Sequence, residues 1–130
     1  MGAFDTLRIA GSGLGMHQTW LDMLGHNLAN VNTARRTDQP AFQAQMLIAE
    51  SQAGGGVRVD GVALSDPEGR LVHDPTHPLA DEEGYVRMSE LDLASQMSQL
   101  IMAQRGYQAS VQVTKHAQES YGAALQIGRG

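Results

Sequence analysis

Leucine recurs at every seventh position in LRIAGSGLGMHQTWLDMLGHNL, residues 7–28 of the chain: Leu7, Leu14, Leu21 and Leu28. A second row follows at an offset of three residues: Ala10, His17, Leu24 and Val31. Two such rows occupy the a and d positions of a heptad repeat, which is typical of a helix that packs lengthwise against another helix. The pattern predicts an N-terminal helix within residues 1–35, with its regular part running from about Asp5 to Asn32.

The other end of the chain, residues 89–130, carries a related pattern. One heptad position holds Met97, Val111 and Leu125, and the other holds Leu93, Leu100, Tyr107 and Tyr121. Ser89 is the predicted N-cap, with Asp92 as an acidic residue in the first turn, and Gly128 is the predicted end. The sequence therefore predicts a second long helix that pairs with the first.

The middle of the chain, residues 36–88, has short strand patterns separated by turns. Residues 33–40 are predicted to be a loop, and residues 42–48 a strand or an extended segment. Val57–Val59 alternates as a strand does, and Arg70–His73 is expected to pair back on it across the turn sequence Asp66–Gly69. Tyr85–Met88 is a further short strand. We expect a mainly α fold in which two long terminal helices form an antiparallel, coiled-coil-like pair with a small β-rich insertion between them.

The predicted helices are long for a chain of 130 residues. At 1.5 Å per residue they would measure about 42 Å and about 57 Å. A globule of this chain length has a diameter of roughly 36 Å. Residues 1–130 are therefore expected to form a single elongated subunit.

Composition excludes several classes of function. Nine Lys and Arg residues stand against fourteen Asp and Glu, a net charge of -5, so no basic excess is present for nucleic acid. The chain has no cysteine, which excludes disulfides, thiolate nucleophiles and cysteine-based zinc sites. No stretch is apolar enough for insertion into a membrane, and no basic segment followed by an apolar one predicts a cleaved signal peptide.

Patterns that suggest catalysis are weak. Gly11-Ser12-Gly13-Leu14-Gly15 resembles a dinucleotide-binding loop, but Met16 stands where that fingerprint needs glycine or alanine. His73 and His77 have the spacing of a helical zinc pair, yet Pro75 and Pro78 disfavour a helix there. The acidic run Asp81–Glu83 lacks the alternating ligands of a calcium loop. We therefore predict no catalytic residue, no cofactor and no metal, and keep a metalloenzyme built on the two histidines as the third hypothesis.

The second helix is polar without being charged. Between Leu93 and Thr114 the only Asp, Glu, Lys or Arg is Arg105. Seven glutamines lie in residues 89–130: Gln96, Gln99, Gln104, Gln108, Gln112, Gln118 and Gln126. Solvent-facing helices normally carry Lys and Glu. A charge-free face indicates burial against other subunits.

Three motifs resemble those of bacterial flagellar axial proteins. The first is Ser12-Gly13-Leu14 with Leu24-Gly25-His26-Asn27-Leu28-Ala29-Asn30 and Thr33. The second, Asp74–Asp81 with Gly84-Tyr85-Val86, is similar to the proximal-rod branch rather than to hook or distal-rod proteins. The third is Arg105-Gly106-Tyr107-Gln108-Ala109. Two departures are Ser89-Glu90-Leu91-Asp92, where the family usually has Pro-Asn-Val-Asp, and Ser110, where it usually has Asn.

The resemblance implies a structural subunit of the periplasmic flagellar rod, which assembles helically and transmits motor torque. It implies export through the flagellar type III apparatus without a cleaved signal, and contact with copies of itself, with the rod proteins FlgB and FlgF, and with the junction protein FliE. The residues expected to carry subunit packing or the family motifs are Leu7, Leu14, Leu21, Leu24, Asn27, Leu28, Ala29, Asn30, Met97, Leu100, Arg105, Tyr107, Gln108, Val111 and Tyr121. The alternative is a soluble adaptor or export chaperone that binds one partner through its helices.

Overall fold

A computed structural model describes residues 2–130 and confirms the predicted fold class. Two long helices, α1 (Ala3–Ala29) and α2 (Leu93–Arg129), flank a small β insertion. Its strands are β1 (Ala34–Arg35), β2 (Gln45–Ser51), β3 (Val57–Leu64), β4 (Arg70–His73) and β5 (Tyr85–Met88). No helix among residues 2–130 combines the length and the hydropathy that crossing a bilayer requires.

The strands form two sheets, and one predicted pairing is wrong. β5 is the central strand of an antiparallel sheet in the order β1-β5-β4, with Arg70 opposite Met88 and His73 opposite Tyr85. β3 pairs with β2 instead of with β4. The residues that follow β3 bond elsewhere, since Ser65 N donates to Ala44 O (2.9 Å) and Pro67 O accepts from Ala41 N (2.7 Å). The chain after β3 therefore lies against residues 41–44, and β3 does not pair with β4 across the turn at Asp66–Gly69.

The ends of the helices differ from the predicted ones by a few residues. α1 ends at Ala29, and its last carbonyls are taken up in turns such as Asn30 N to Asn27 O (3.1 Å). α2 begins at Leu93 with Asp92 as its N-cap, because the Asp92 carboxylate accepts from Ser95 N (3.2 Å). Ser89, the predicted cap, is instead buried, and its carbonyl accepts from Arg70 Nε (3.2 Å).

The chain divides into two compact units, which are described separately. The first contains α1 up to Asp22 together with Leu47–Gly61 and Leu100–Gly130. Its two helical parts run antiparallel, since the ring of Phe4 lies 6.4 Å from that of Tyr121 while His17 meets Ser110. Its buried side chains are small: Ala10, Ala103 and Ala117.

The two fully buried residues of α2, Ala103 and Ala117, belong to neither of the two rows that the heptad pattern predicted. Met97, Val111 and Leu125 of one predicted row are exposed, and Leu100, Tyr107 and Tyr121 of the other are half-buried. Ala103 and Ala117 lie one position away from the first row, and Ser110, half-buried, lies between them. In the two N-terminal rows, Ala10 and Leu24 of the second row are buried and His17 and Val31 are half-buried, while the row of four leucines is half-buried throughout. Small side chains let two helix backbones approach closely, so the smallest residues, rather than the largest apolar ones, come to lie at the contact.

The second unit contains Met23–Met46 and Val62–Gln99, and it holds the three-stranded sheet. Its apolar core consists of Leu24, Ala41, Ala44 and Val86, of which Leu24 and Val86 are each 2% exposed. Gly69 takes a positive φ of 56° at the turn before β4, where an added Cβ would collide with the Met88 carbonyl. A glycine is required there for the turn to pack against β5.

Candidate functional site

In the first unit, the two helices are in contact around His17. Its Nδ1 lies 2.9 Å from Gly13 O and 2.9 Å from Ser110 Oγ. Because a carbonyl oxygen only accepts hydrogen bonds, we assign the hydrogen to Nδ1, which donates to Gly13 O with Ser110 Oγ as a second acceptor. Gly106 lies against the same ring, since a Cβ added there would be 2.5 Å from His17 Cδ2. The contact therefore depends on small residues on both helices.

A groove of about 480 Å³ runs along this helix pair. Its walls include Ile9, Ala10 and Gly13 of α1, with Ala109 and Val113 of α2, and no charged side chain lines it. Such a groove accepts apolar side chains, because filling it would leave no charge without water or a partner.

Asn27 joins three segments in the second unit. It is 1% exposed, and its Oδ1 accepts from Gln45 N (2.9 Å). Its Nδ2 donates to Gln45 O (2.9 Å) and to Gln96 Oε1 (3.1 Å). The amide thus bonds the backbone of Gln45 as a neighbouring strand would, and it also holds the first turn of α2. Asn27 is a structural anchor of this unit.

In the Asn-Leu-Ala-Asn motif (residues 27–30), the second asparagine bonds to residues that are close to it in sequence. Asn30 donates from Nδ2 to His26 O (2.9 Å) and accepts from the Thr33 hydroxyl (3.0 Å), so it stabilises the end of α1. Leu28, one of the residues expected to carry subunit packing or the family motifs, is only half-buried, and Ala29 is exposed. The two asparagines of the motif therefore differ in role, one tertiary and one local.

α2 leaves most of its large apolar side chains exposed. In the first unit these are Ile101, Met102, Val111, Val113, Leu125 and Ile127, and in the second they are Leu93 and Met97. We call these eight residues the α2 apolar set. The 37 residues of the helix carry only four Asp, Glu, Lys or Arg side chains. Exposed apolar side chains on a charge-poor helix are typical of a surface that another protein covers.

The predicted packing residues are spread over different environments. Leu24 and Asn27 are buried; the half-buried ones are Leu7, Leu14, Leu21, Leu28, Asn30, Leu100, Tyr107 and Tyr121; and the exposed ones are Ala29, Met97, Arg105, Gln108 and Val111. His17 lies in the second row predicted for α1, but Ala103, Ser110 and Ala117 were not among the predicted packing residues. Their signal is the seven-residue spacing of small side chains on α2.

In the loop that contains His73 and His77, the polar side chains make hydrogen bonds that stabilise the conformation of the loop. His77 Nδ1 accepts from Leu79 N (3.0 Å), and the His73 ring packs edge-on against Tyr85 at 5.0 Å. Asp81 accepts from Tyr85 N (2.8 Å) and from the Thr37 hydroxyl (3.1 Å). The bond from the Tyr85 amide is the main reason why the pKa of Asp81 lies below its ordinary value. Among residues 2–130, no group of three or more His, Asp or Glu side chains converges as metal ligands would.

Comparison with known proteins identifies relatives over the full length. The family model described as "Flagellar basal body rod FlgEFG protein C-terminal" matches residues 82–127. The flagellar basal-body rod protein FlgC of Salmonella typhimurium is 32% identical, with 99% of this chain and 100% of that protein covered. Proteins of the same name from Borreliella burgdorferi (28% identical, 100% of both chains) and Bacillus subtilis (29% identical, 99% of this chain and 100% of that protein) also match. Together with the two flanking helices, the β insertion and the full-length coverage, these likenesses establish that the chain belongs to the FlgC family of flagellar basal-body rod proteins.

Proposed function

We propose that this chain is a structural subunit of the proximal section of the flagellar rod, assembling helically with other rod proteins and transmitting motor torque. The α2 apolar set is the observation that carries the proposal. Eight large apolar side chains are exposed along one helix, and Ile127 reaches 81% exposure. Burial of this surface against neighbouring subunits would stabilise an assembly by about 25 cal/mol per Å² of apolar area removed from water.

The low charge of α2 suits such an assembly. Taking an unpaired charge out of water and burying it costs on the order of several kcal/mol. With only four charged side chains in 37 residues, α2 can be covered on several sides without that penalty. Contacts between different faces of identical or related subunits generate a helical array when the rotation from one subunit to the next does not close into a ring.

The neighbours follow from the family. We propose contacts with copies of this chain, with the rod proteins FlgB and FlgF, and with the junction protein FliE. We also propose a periplasmic location in the basal body, reached by transient contact with the flagellar type III export apparatus without cleavage of a signal peptide. This role requires no catalytic group, no cofactor and no bound nucleic acid.

The test replaces Met97 by aspartate in the chromosomal gene. Met97 is 45% exposed, so Met97→Asp should leave the free subunit folded while placing a charge in the subunit contact. Ser98→Asp is the matched control, because it adds the same charge at an exposed neighbouring position that does not belong to the α2 apolar set. We expect Met97→Asp cells to make the protein but to lack rods in isolated basal bodies and to fail to swim, while Ser98→Asp cells swim.

Two results would contradict the proposal. One is normal swimming of Met97→Asp cells with rods of normal length. The other is absence of the wild-type chain from purified rods together with recovery of a discrete one-to-one complex, which is the outcome expected of an adaptor or export chaperone.

A further inference from the structure

The outer face of the three-stranded sheet in the second unit carries two arginines side by side. Arg35 of β1 is opposite Arg87 of β5, and Arg87 is opposite Leu71 of β4. Residues directly opposite each other in an antiparallel sheet point to the same face. Val86, the neighbour of Arg87 on β5, lies in the core and so marks the inner face. We call the two arginines on the outer face the Arg35–Arg87 pair.

Neither arginine of the pair is matched by a carboxylate of its own chain. Among residues 2–130, the arginines that form ion pairs are three others: Arg8, Arg36 and Arg58. Arg87 donates to two backbone carbonyls, those of Thr37 and Glu68, so its guanidinium group is held in place without being neutralised. Like charges directly opposite each other destabilise a sheet. An anionic group supplied from outside the chain would therefore stabilise the pair.

A cavity of about 540 Å³ lies beside the pair. Arg87 lines it together with Pro40 and Leu71, and Leu71 is 56% exposed. Two acidic residues, Asp38 and Glu68, also line the cavity, and neither forms an ion pair with Arg87. The outer face of the sheet thus offers guanidinium N–H donors next to room for the side chains of a partner.

The complementary charge lies in the turn before β5 of the same unit. Gly84 N donates to Asp81 O (3.0 Å), which puts Glu82 and Glu83 at the two central positions of the turn. Both glutamates are exposed, and neither forms an ion pair within the part of the chain from residue 2 to residue 130. Nowhere else in the sequence are two glutamates adjacent. Two neighbouring carboxylates match two neighbouring guanidinium groups, which bind carboxylate oxygens through paired N–H donors.

The glutamates and the arginine pair are too far apart to meet within one copy. Four residues of extended chain separate Glu83 from Arg87, a distance of about 13 Å along β5. A contact between the arginine pair of one copy and the glutamates of another joins two different surfaces. Such a contact leaves the second surface of each copy free, so it can be repeated from one copy to the next.

The overall charge of the second unit favours cations at a contact between copies. Met23–Met46 has one acidic and two basic side chains, and Val62–Gln99 has eight acidic and two basic ones. Copies of a unit with nine acidic and four basic side chains repel one another. A contact that uses the arginines against the densest acidic turn reverses that repulsion locally.

We propose that the Arg35–Arg87 pair of one copy binds Glu82 and Glu83 of the next copy in the rod. The inference rests on the proposed function and extends it by naming one contact between copies. Charged contacts across an interface set orientation and register more than affinity. The ion pairs therefore fix how neighbouring copies are aligned, while burial of apolar surface supplies binding free energy.

Disulfide cross-linking in purified rods tests the contact directly. The chain has no cysteine, so Arg35→Cys combined with Glu83→Cys introduces its only two thiols. A disulfide requires Cα atoms within about 7 Å, which the separation inside one copy exceeds. We expect oxidised rods of the double variant to yield covalent multimers whose masses are multiples of that of this chain. Rods of either single variant should yield the monomer.

Charge reversal tests the same contact without thiols and decides the matter if the double cysteine variant does not enter rods. Like charges brought together oppose binding, so Arg35→Glu should lower the number of rods about tenfold or more. Adding Glu82→Lys and Glu83→Lys to it should restore the rods. Arg36→Glu is the matched control, because Arg36 already pairs with Asp38 of its own chain (3.3 Å), and it should leave the number of rods unchanged.

Rods that contain the double cysteine variant but yield no covalent multimers would overturn the contact and leave the role as a rod subunit intact. Dimers of the Arg35→Cys single variant would overturn it too, because the same surface of two copies would then meet. Cross-links to a different protein, or failure of the lysine substitutions to restore rods, would assign the arginines to another partner. Absence of the wild-type chain from rods would instead contradict the proposed function.

Discussion

Gly106 and His17 face each other so closely that a β-carbon at position 106 would lie 2.5 Å from Cδ2 of the imidazole. The ring has little freedom to move away, because its Nδ1 is bonded to Gly13 O and to Ser110 Oγ, each at 2.9 Å. The absence of a side chain at position 106 therefore sets how near α2 can come to α1 in the first unit.

Gly106→Ala should destabilise the protein, although alanine is the better helix former. The added methyl group overpacks the contact with His17, at a cost of about 1–3 kcal/mol. Gly122→Ala in the same helix meets nothing within 4 Å and should gain up to about 1 kcal/mol from helix propensity. Urea unfolding followed by circular dichroism compares the two, and equal shifts in the same direction would refute the close contact.

Asn27→Asp should cost about 3 kcal/mol of unfolding free energy, since two acceptors lose their donor and a charge is buried. The new oxygen would face Gln45 O and Gln96 Oε1, which now accept from Nδ2 at 2.9 Å and 3.1 Å. Asn32→Asp, at an exposed position just beyond α1, is the control and should stay within about 0.5 kcal/mol of wild type. Similar unfolding midpoints for the two variants would show that Asn27 does not anchor the unit.

Leu24→Ala and Leu28→Ala distinguish the packed row of α1 from the leucine row. Leu24 is 2% exposed, so its truncation should cost about 2–5 kcal/mol through lost burial and the cavity left behind. Leu28 is half-buried, and its truncation should cost roughly half as much. Chemical denaturation measures the free energy of unfolding of both variants. A larger loss for Leu28→Ala than for Leu24→Ala would show that the leucine row, rather than the row with Leu24, makes the main packing contact of α1.

The loop before β5 should loosen in acid through Asp81. Hydrogen bonding, first from the Tyr85 amide, lowers the pKa of Asp81 below the ordinary value of 3.8. A carboxyl group with a lowered pKa stabilises the folded loop above pH 3.8, and that contribution is lost as the pH falls through the lowered value.

Nuclear magnetic resonance shifts of the Tyr85 amide as a function of pH report this step. We expect the acid transition in wild type and in Glu82→Gln, whose exposed side chain is the control, and its disappearance in Asp81→Asn. An unchanged transition in Asp81→Asn would assign it to another group.

Local patterns along the chain were enough to place both helices and four of the five strands, whereas β1 (Ala34–Arg35) lies in residues 33–40, where a loop was predicted. The heptad rows predicted both helices, and β4 and β5 begin and end at the residues that the strand and turn patterns indicated, Arg70–His73 and Tyr85–Met88. The reason is that periodicity, prolines and turn sequences act over a few residues, so each segment carries its own signal. The family motifs likewise lie in continuous stretches.

Packing within the units followed from interactions that no local pattern contains. The buried residues of α2 are Ala103 and Ala117, with Ser110 half-buried between them, because the distance between helices depends on the smallest side chains on both of them. β3 pairs with β2 because Ser65 and Pro67 bond to Ala44 and Ala41, more than twenty residues away in sequence. Asn27 is an anchor only once the backbone of Gln45 and the side chain of Gln96 are brought to it. Each of these depends on the position of a distant segment, and burial of polar groups is tolerated only where that segment supplies the matching hydrogen bonds.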